Sequence, residues 1–160
     1  MDYLINSELK DAERFFSLAQ EQAKKSTCSR RRCGAVLVRG GRLIGMGFNS
    51  PPGNLESQRR CDSKKSGLHK KVTDKTCCVH AEQRAIIDAL ENRGEITGSF
   101  LYFTSVDEQG NRIDSGAPYC TLCSKLALDT EVAFWILEKE EGVAAYSAEE
   151  YNELSFDYRD

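Results

Sequence analysis

Short apolar runs alternate along this chain with longer segments whose apolar residues recur at helical spacing. The short runs predict strands over residues 34–38, 42–49, 100–104, 132–137 and 142–146. Helical spacing predicts helices over residues 7–25, 77–91 and 120–129. Ser147 and Glu150 form a capping-box pattern that predicts the start of a last helix. This alternation predicts one mixed sheet that is flanked by helices.

Length and composition are those of one globular domain. The chain has 160 residues, of which 40% are hydrophobic and 29% are charged. No apolar stretch approaches the roughly 20 residues that a membrane span requires, and residues 1–10 do not resemble a secretory signal. We therefore expect a soluble, cytoplasmic protein with no membrane partner. The net charge of −3 argues against a general nucleic-acid binder, which is usually basic.

Residues 50–76 form a long segment with few apolar side chains. It begins with Pro51, Pro52 and Gly53. Seven basic residues follow: Arg59, Arg60, Lys64, Lys65, Lys70, Lys71 and Lys75. Loops of this length within a compact domain are usually functional or disordered. The segment is therefore either a solvated surface insertion or a loop that supplies basic side chains to a binding site.

Two of the seven cysteines, Cys120 and Cys123, are separated by two residues where a helix is predicted to begin. The odd number of cysteines, without a secretory signal, argues against a disulfide scaffold. Free amides and the helix dipole favour thiolates at a helix start, so this pair can chelate a metal. Taken alone, the pair is also typical of a thioredoxin-like redox site.

His80 and Glu82 stand near the start of the other central helix. With Cys120 and Cys123, His80 completes a set of three zinc ligands. Three protein ligands leave the fourth tetrahedral position to water, as in catalytic rather than structural zinc sites. Glu82 can accept and return a proton beside that water without binding the metal. We therefore predict a catalytic Zn²⁺ site in which Glu82 is the catalytic residue.

The segments His80-Ala81-Glu82 and Pro118-Tyr119-Cys120-Thr121-Leu122-Cys123 resemble the signature H-x-E and P-C-x-x-C of zinc nucleobase deaminases. Residues 33–38, 45–53 and 80–86 are similar, in order and spacing, to the deoxycytidylate branch of the cytidine/deoxycytidylate deaminase superfamily. The resemblance covers most of residues 10–137.

This resemblance implies a single deaminase domain over residues 1–160. The implied fold is a three-layer α/β/α sandwich with a central five-stranded mixed sheet, and both metal-binding segments lie at helix starts. The resemblance further implies that Asn49 hydrogen-bonds the sugar or base of the substrate and that the backbone at Ala81 contacts the base. It also implies a homo-oligomer.

The chain departs from the family pattern in three places. Tyr119 stands between Pro118 and Cys120, where the usual motif places proline next to cysteine, and we expect it to reshape the pocket floor. The polar loop over residues 107–117 is longer than expected, and we expect it to line the mouth of the pocket. Residues 146–160 show no usable resemblance to the C-terminus of the family.

The remaining potential ligands are a candidate second zinc site, as some relatives in the deoxycytidylate branch carry a second metal. They are Cys28, Cys33, Cys61, His69, Cys77 and Cys78. Their spacing includes no C-x-x-C pair, and free cysteines are often simply buried apolar residues. There are therefore two open interpretations of these residues: a second zinc site, or cysteines that are simply buried in the core.

The leading prediction is hydrolytic removal of an amine from a cytosine base in a free nucleotide or nucleoside, with a dCMP-like substrate as first choice. Arg30, Arg31 and Arg32, or the basic loop, are candidate phosphate contacts. One alternative is a deaminase acting on tRNA, on single-stranded DNA or on another amino-bearing heterocycle. Others are a binding module with structural zinc, which leaves Glu82 unexplained, and a redox protein, which leaves His80 and Glu82 unexplained.

Overall fold

A mixed sheet forms the centre of the computed structural model, which describes residues 1–5, 7–61, 64–92 and 94–159. The strands are β1 (Asp2–Tyr3), β2 (Arg32–Arg39), β3 (Arg42–Phe48), β4 (Phe100–Val106), β5 (Arg112–Ile113), β6 (Phe134–Lys139) and β7 (Gly142–Ser147). The helices are α1 (Ser7–Lys25), α2 (Ala81–Glu91), α3 (Thr121–Asp129) and α4 (Ala148–Asp157). The segment between β3 and α2 contains short 3₁₀ turns at Pro52–Asn54, Glu56–Gln58 and Lys65–Gly67.

The strand order is β1-β7-β6-β4-β2-β3, and β5 pairs with β4 at its end. β4 and β6 run parallel, whereas the other pairs are antiparallel. Five of the described strands have six to eight residues, and β1 and β5 have two residues each. The expected five-stranded mixed sheet is therefore confirmed, with two short strands added to it.

Helices cover both faces of this sheet. α1 packs on one face, where Phe16 is buried against Val36 and its neighbours. The other three helices cover the opposite face, to which each contributes buried side chains such as Ala85, Cys123 and Tyr151. The three-layer α/β/α architecture is therefore confirmed. No helix within the described ranges is long and apolar enough to cross a membrane.

Two glycines of β3 allow α2 to lie directly on the sheet. A Cβ atom at Gly47 would lie 2.5 Å from the Ala81 carbonyl oxygen and 2.7 Å from the Ala85 nitrogen. A Cβ atom at Gly45 would lie 2.2 Å from the Ala85 carbonyl oxygen. Because close-packed backbone has no room for such an atom, glycine at these positions sets the distance between α2 and the sheet.

Both central helices begin later than the sequence pattern predicts. α2 begins at Ala81 rather than at residue 77, and α3 begins at Thr121, so that His80 and Cys120 are their N-caps. An antiparallel bridge between Ser50 and Val79 holds the segment before α2 in an extended conformation.

Leu90 is one of the apolar residues at helical spacing in α2, but it is 51% exposed. It lies three residues after Ile87, which is also exposed, and residues at this spacing share a helix face. The buried face of α2 is therefore narrower than the apolar pattern suggests.

The two helix starts lie at one edge of the sheet. Gly34 at the beginning of β2 pairs with Phe48 at the end of β3 and with Thr104 near the end of β4. β3 and β4 therefore run in the same direction and end on either side of the beginning of β2. Because β3 leads towards α2 and β4 towards α3, the N-termini of both helices are brought to this edge.

The predicted last helix is present as α4. The Ser147 hydroxyl accepts a hydrogen bond from the Glu150 N–H at 3.1 Å, as an N-cap does. The Glu150 carboxylate pairs instead with the N-terminal amine of Met1, at 2.6 Å. The capping box is therefore only half formed. The Glu150 side chain, which would complete it, instead holds the N-terminal amine against α4.

We predict that Gly47→Ala destabilises the protein, because the new methyl group meets the backbone of α2. Overpacking of this kind typically lowers the free energy of unfolding by about 1–3 kcal/mol. The matched control is Gly67→Ala, because a Cβ atom there meets no atom within 4 Å. Urea denaturation of both variants and the wild type tests this, and equal stability of the two variants would contradict it.

Candidate metal centre and its cavity

The three predicted metal ligands meet where α2 and α3 begin. The His80 Nδ1 atom lies 3.2 Å from Cys120 Sγ and 3.3 Å from Cys123 Sγ. All three ligand atoms lie within 4.8 Å of one another. In the part of the chain that the structure describes, these side chains form the only such group.

Local capping leaves the ligand side chains directed at one another. The Gln83 side-chain oxygen accepts a hydrogen bond from the His80 backbone N–H at 3.0 Å, so that amide is satisfied without the imidazole. Cys120 Sγ accepts a hydrogen bond from the Cys123 backbone N–H at 3.4 Å. The positive end of the α3 dipole lies there as well, and it favours a thiolate at Cys120.

The electrostatics of this group suit a zinc ion. Hydrogen bonds, first from the Cys123 thiol and then from His80, lower the pKa of Cys120 to about 4. The hydrogen bond to Cys120 raises the pKa of His80 to about 9. One imidazole nitrogen and two sulfur atoms, one of which deprotonates readily, are the donor types that bind Zn²⁺ in proteins. The residues present therefore fit zinc, and their number is that of a catalytic site.

Glu82 lies in the first turn of α2 and is only 4% exposed. Its carboxyl group lies outside the group of three ligands and near the Cys123 thiol. Burial raises the pKa of Glu82, and the nearby His80 opposes this shift. A buried carboxyl group beside a metal-binding group can exchange protons there.

A cavity of about 210 Å³ adjoins His80 and Glu82. Asn49, Ala81, Phe103 and Tyr119 also line it. Its basic lining residues come from the segment before β2 and from the loop over 50–76: Arg30, Arg31, Arg60, Lys65 and Lys75. Among the described lining residues, Glu82 is the only acid. The cavity is thus strongly basic in a chain of net charge −3, which favours an anionic ligand.

The three consecutive arginines occupy different environments. Arg30 and Arg31 line the cavity, and Arg31 Nη2 is held by Ser105 Oγ and the Asp114 carbonyl oxygen, both at 2.8 Å. Arg32 is a correction to the predicted set, because it does not line the cavity and donates instead to the Asp107 carbonyl oxygen at 2.7 Å. Successive side chains of a strand point to opposite faces, and its neighbour Cys33 faces the cavity.

Asn49 is buried at the cavity and connects several backbone segments. Its side-chain oxygen accepts hydrogen bonds from Ser26 Oγ at 2.6 Å and from the Cys33 N–H at 2.8 Å. Its side-chain nitrogen donates to the Arg31 carbonyl oxygen at 2.8 Å. A primary amide carries two N–H donors, so a second donor is available to a ligand in the cavity.

The loop over residues 107–117 does not line the cavity, contrary to expectation. β5 folds it back beside β4, with Ser105 opposite Ile113, and the Ser115 N–H donates to the Glu138 carbonyl oxygen at 2.9 Å. The sequence interpretation also missed Phe103, whose position follows from the alternation of side chains along β4.

The remaining cysteines are close to the cavity but do not form a second ligand group. Cys28, Cys61, Cys77 and Cys78 line the cavity, with Cys28 near Cys78 and Cys61 near Cys77. His69 is exposed and lies outside the lining of the cavity. Among the described residues no other three potential ligands lie within mutual binding distance. The second zinc site remains a hypothesis.

We predict that Cys120→Ala lowers the zinc content of the purified protein by one equivalent per chain, because it removes one of three ligands. The matched control is Cys33→Ala, since Cys33 is buried at the same cavity but lies outside the ligand group. Metal analysis of both variants and the wild type provides the measurement. Full zinc content in the Cys120 variant, or a wild type without zinc, would show that the assignment is wrong.

Known proteins are similar to this chain in sequence and in fold. The sequence profile of the family described as the cytidine and deoxycytidylate deaminase zinc-binding region matches residues 9–139. A deoxycytidylate deaminase of Schizosaccharomyces pombe is 38% identical over 84 residues, which are 49% of this chain and 26% of that protein. The chain therefore spans about a quarter of that relative's length.

A shorter relative and a solved structure agree with this match. A deoxycytidylate deaminase of Mycobacterium phage D29 is 32% identical over 98 residues, which are 58% of this chain and 75% of that protein. The dCMP deaminase of cyanophage S-TIM5, crystallised with dCMP and dUMP, shares the fold with a TM-score of 0.56 at 23% identity, over 81% of this chain and 79% of that one. The chain belongs to the cytidine and deoxycytidylate deaminase zinc-binding family.

Proposed function

We propose that this chain is a zinc-dependent hydrolase that deaminates a free cytosine nucleotide, with dCMP or a close analogue as substrate. The products would be the uracil nucleotide and ammonia. The observation that carries the proposal is the meeting of three potential zinc ligands, a buried glutamate and a basic cavity at one edge of the sheet. Relatives named deoxycytidylate deaminases support this choice of substrate.

In the proposed site, His80, Cys120 and Cys123 hold Zn²⁺. When bound by three protein ligands, zinc lowers the pKa of water towards about 7 and so supplies a nucleophile at neutral pH. Glu82 would accept a proton from the attacking water and deliver it to the ring nitrogen of the base, and would then carry the second proton of that water to the departing amine, which leaves as ammonia. Its burial excludes competing bulk water from these transfers.

Two groups would orient the base and sugar. The first N–H groups of a helix have no acceptor within the helix, and Ala81 is the first residue of α2 at the cavity. Its backbone N–H would donate to the base. The second side-chain N–H of Asn49 would donate to the base or the sugar, while the other contacts of Asn49 hold it in place.

The basic lining residues support a nucleotide rather than a nucleoside. Arg30, Arg60, Lys65 and Lys75 line a cavity in which the only other described Arg, Lys, Asp or Glu side chains are Arg31 and Glu82. A phosphate placed among them would be stabilised by charge-assisted hydrogen bonds. Since these cations line a small cavity rather than an open groove, they favour a free nucleotide over a base in tRNA or single-stranded DNA.

The cellular setting is part of the proposal. The cysteines of the described chain are free thiols, and thiols persist in reducing compartments such as the cytoplasm. We place the enzyme there, and we propose a homo-oligomer from its resemblance to the family.

The direct test is ammonia release from purified protein with dCMP, deoxycytidine, cytidine, adenosine and guanosine nucleotides, and with single-stranded DNA and tRNA. We expect the highest kcat/KM with a cytosine monophosphate and a lower value with the matching nucleoside. Equal kcat/KM values for the monophosphate and the nucleoside would show that the basic side chains do not form a phosphate-binding subsite. Activity confined to the nucleic acids, or absence of ammonia release from every compound, would overturn the proposal.

We predict that Glu82→Gln abolishes most of the activity while the metal stays bound. Glutamine preserves size and hydrogen bonding but cannot take up the proton, and general acid–base catalysis typically contributes about 10²–10⁴-fold. The expected result is a fall in kcat of roughly that size or more, with zinc content and melting temperature near those of the wild type. Loss of zinc would make Glu82 a ligand, and retained activity would refute the mechanism.

We predict that Asn49→Ala lowers both catalysis and stability, because Asn49 also satisfies the buried Cys33 N–H. An unsatisfied buried polar group costs about 1–3 kcal/mol of unfolding free energy. We expect zinc content to be retained and kcat/KM to fall. Asn111→Ala, in an exposed turn, is the control. If Asn49 has only a structural role, Asn49→Ala will lose the same stability but will keep the kcat/KM of the wild type.

A further inference from the structure

Tyr119 is the residue at which the metal-binding segment departs from the family pattern, and it lies at the cavity. Its neighbours Pro118 and Cys120 are buried, whereas Tyr119 is 41% exposed. The cavity has one other aromatic lining residue among those described, Phe103, which is only 4% exposed. Of these two aromatic side chains at the cavity, Tyr119 is therefore the more accessible one.

The position of Tyr119 selects the end of the ligand that it can contact. It directly precedes Cys120, a proposed zinc ligand, and it lines the same cavity as His80 and Glu82. The reacting ring of the substrate must lie at the metal, while the basic side chains would hold the phosphate. Tyr119 is thus at the end of the cavity where the base belongs.

A second tyrosine, from the C-terminal segment, packs against Tyr119. The ring centroids of Tyr119 and Tyr158 are 5.8 Å apart and their planes are inclined by 53°. Tyr158 directly follows α4 as its C-cap residue. It belongs to the part of the sequence that shows no resemblance to the family.

α4 is firmly attached to the rest of the fold, so it can hold Tyr158 in place. The Ser124 hydroxyl of α3 donates to Asn152 Oδ1 of α4 at 2.8 Å. The Trp135 and Tyr151 rings stack with centroids 3.9 Å apart. The first contact connects α4 to the helix that carries Cys123, and the second connects α4 to strand β6.

We infer that Tyr119 is a substrate-binding residue whose ring packs against the pyrimidine base, and that Tyr158 is a positioning residue for this ring. The inference rests on the proposed function. Aromatic side chains bind the faces of nucleobases well, because every base presents a planar π surface. Tyr119, the additional residue between Pro118 and Cys120, supplies such a surface next to the proposed metal site. Tyr158, in the C-terminal segment that does not resemble the family, packs against the Tyr119 ring and holds it in position.

The test compares Tyr119→Ala and Tyr119→Phe in the zinc-loaded full chain. The measurements are KM and kcat for dCMP and the dissociation constant of dUMP by calorimetry. Loss of a stacked base typically weakens binding by roughly 5- to 150-fold. We expect Tyr119→Ala to raise KM and the dUMP dissociation constant within this range and to change kcat less, while Tyr119→Phe stays within a few-fold of the wild type.

Tyr158→Ala should change the same two constants in the same direction but less, and Tyr158→Phe should restore them. Tyr3→Ala is the control, since Tyr3 is 44% exposed on β1 at the far edge of the sheet. If Tyr119→Ala does not fold, Tyr119→Leu, which keeps apolar bulk without the ring, takes its place.

Wild-type KM and dUMP affinity in the folded, zinc-loaded Tyr119 variant would overturn the base contact. A Tyr158→Ala variant that loses thermal stability without any change in these constants would overturn the positioning role. A wild type that neither binds dUMP nor deaminates dCMP would be a different outcome, because it refutes the proposed function together with this inference.

Discussion

The close contact between α2 and β3 determines where the groups of the site lie. Gly45 and Gly47 leave no room for side chains between strand and helix, so the first turn of α2 is fixed on the sheet. That turn carries Glu82 and follows His80 directly. The pairing of β2 with both β3 and β4 then brings the start of α3, with its cysteines, to the same edge. Chemistry at this edge therefore depends on backbone packing more than on any single hydrogen bond.

The charge of the cavity at this edge is opposite in sign to the net charge of the chain. The chain as a whole is acidic, yet the cavity beside His80 is lined mainly by cations. Several of these belong to the loop over 50–76, which is tied to the body by hydrogen bonds such as those from Arg59 Nη2 to the Thr27 carbonyl oxygen at 2.9 Å and from the Arg60 N–H to Cys77 Sγ at 2.9 Å. The loop is thus a wall of the cavity rather than a solvated insertion, and it would meet the charged end of a nucleotide.

The sequence predicted those parts of the site that depend on local structure. His80, Cys120 and Cys123 come together because each stands at the start or in the first turn of a helix. The H-x-E and C-x-x-C spacing indicated these residues, although α2 begins four residues later than its apolar pattern predicts. Side-chain direction was less accessible: Arg32 was grouped with its neighbours, although strand alternation turns it away from the cavity. The loop over 107–117 was misplaced because its length does not reveal that β5 folds back onto β4. The contact of Tyr158 with Tyr119 joins residues far apart in the chain, and no local pattern predicts it.

The central claim is that one metal at His80, Cys120 and Cys123 faces a nucleotide whose phosphate lies among the basic side chains of the cavity. The most direct measurement is a crystal structure of the purified protein with dUMP, with anomalous scattering recorded at the zinc absorption edge. The account predicts an anomalous peak among these three ligand atoms, with the pyrimidine beside Glu82 and the phosphate near Arg60 and Lys75. A zinc peak only among the other cysteines, or a nucleotide bound away from Glu82, would contradict it.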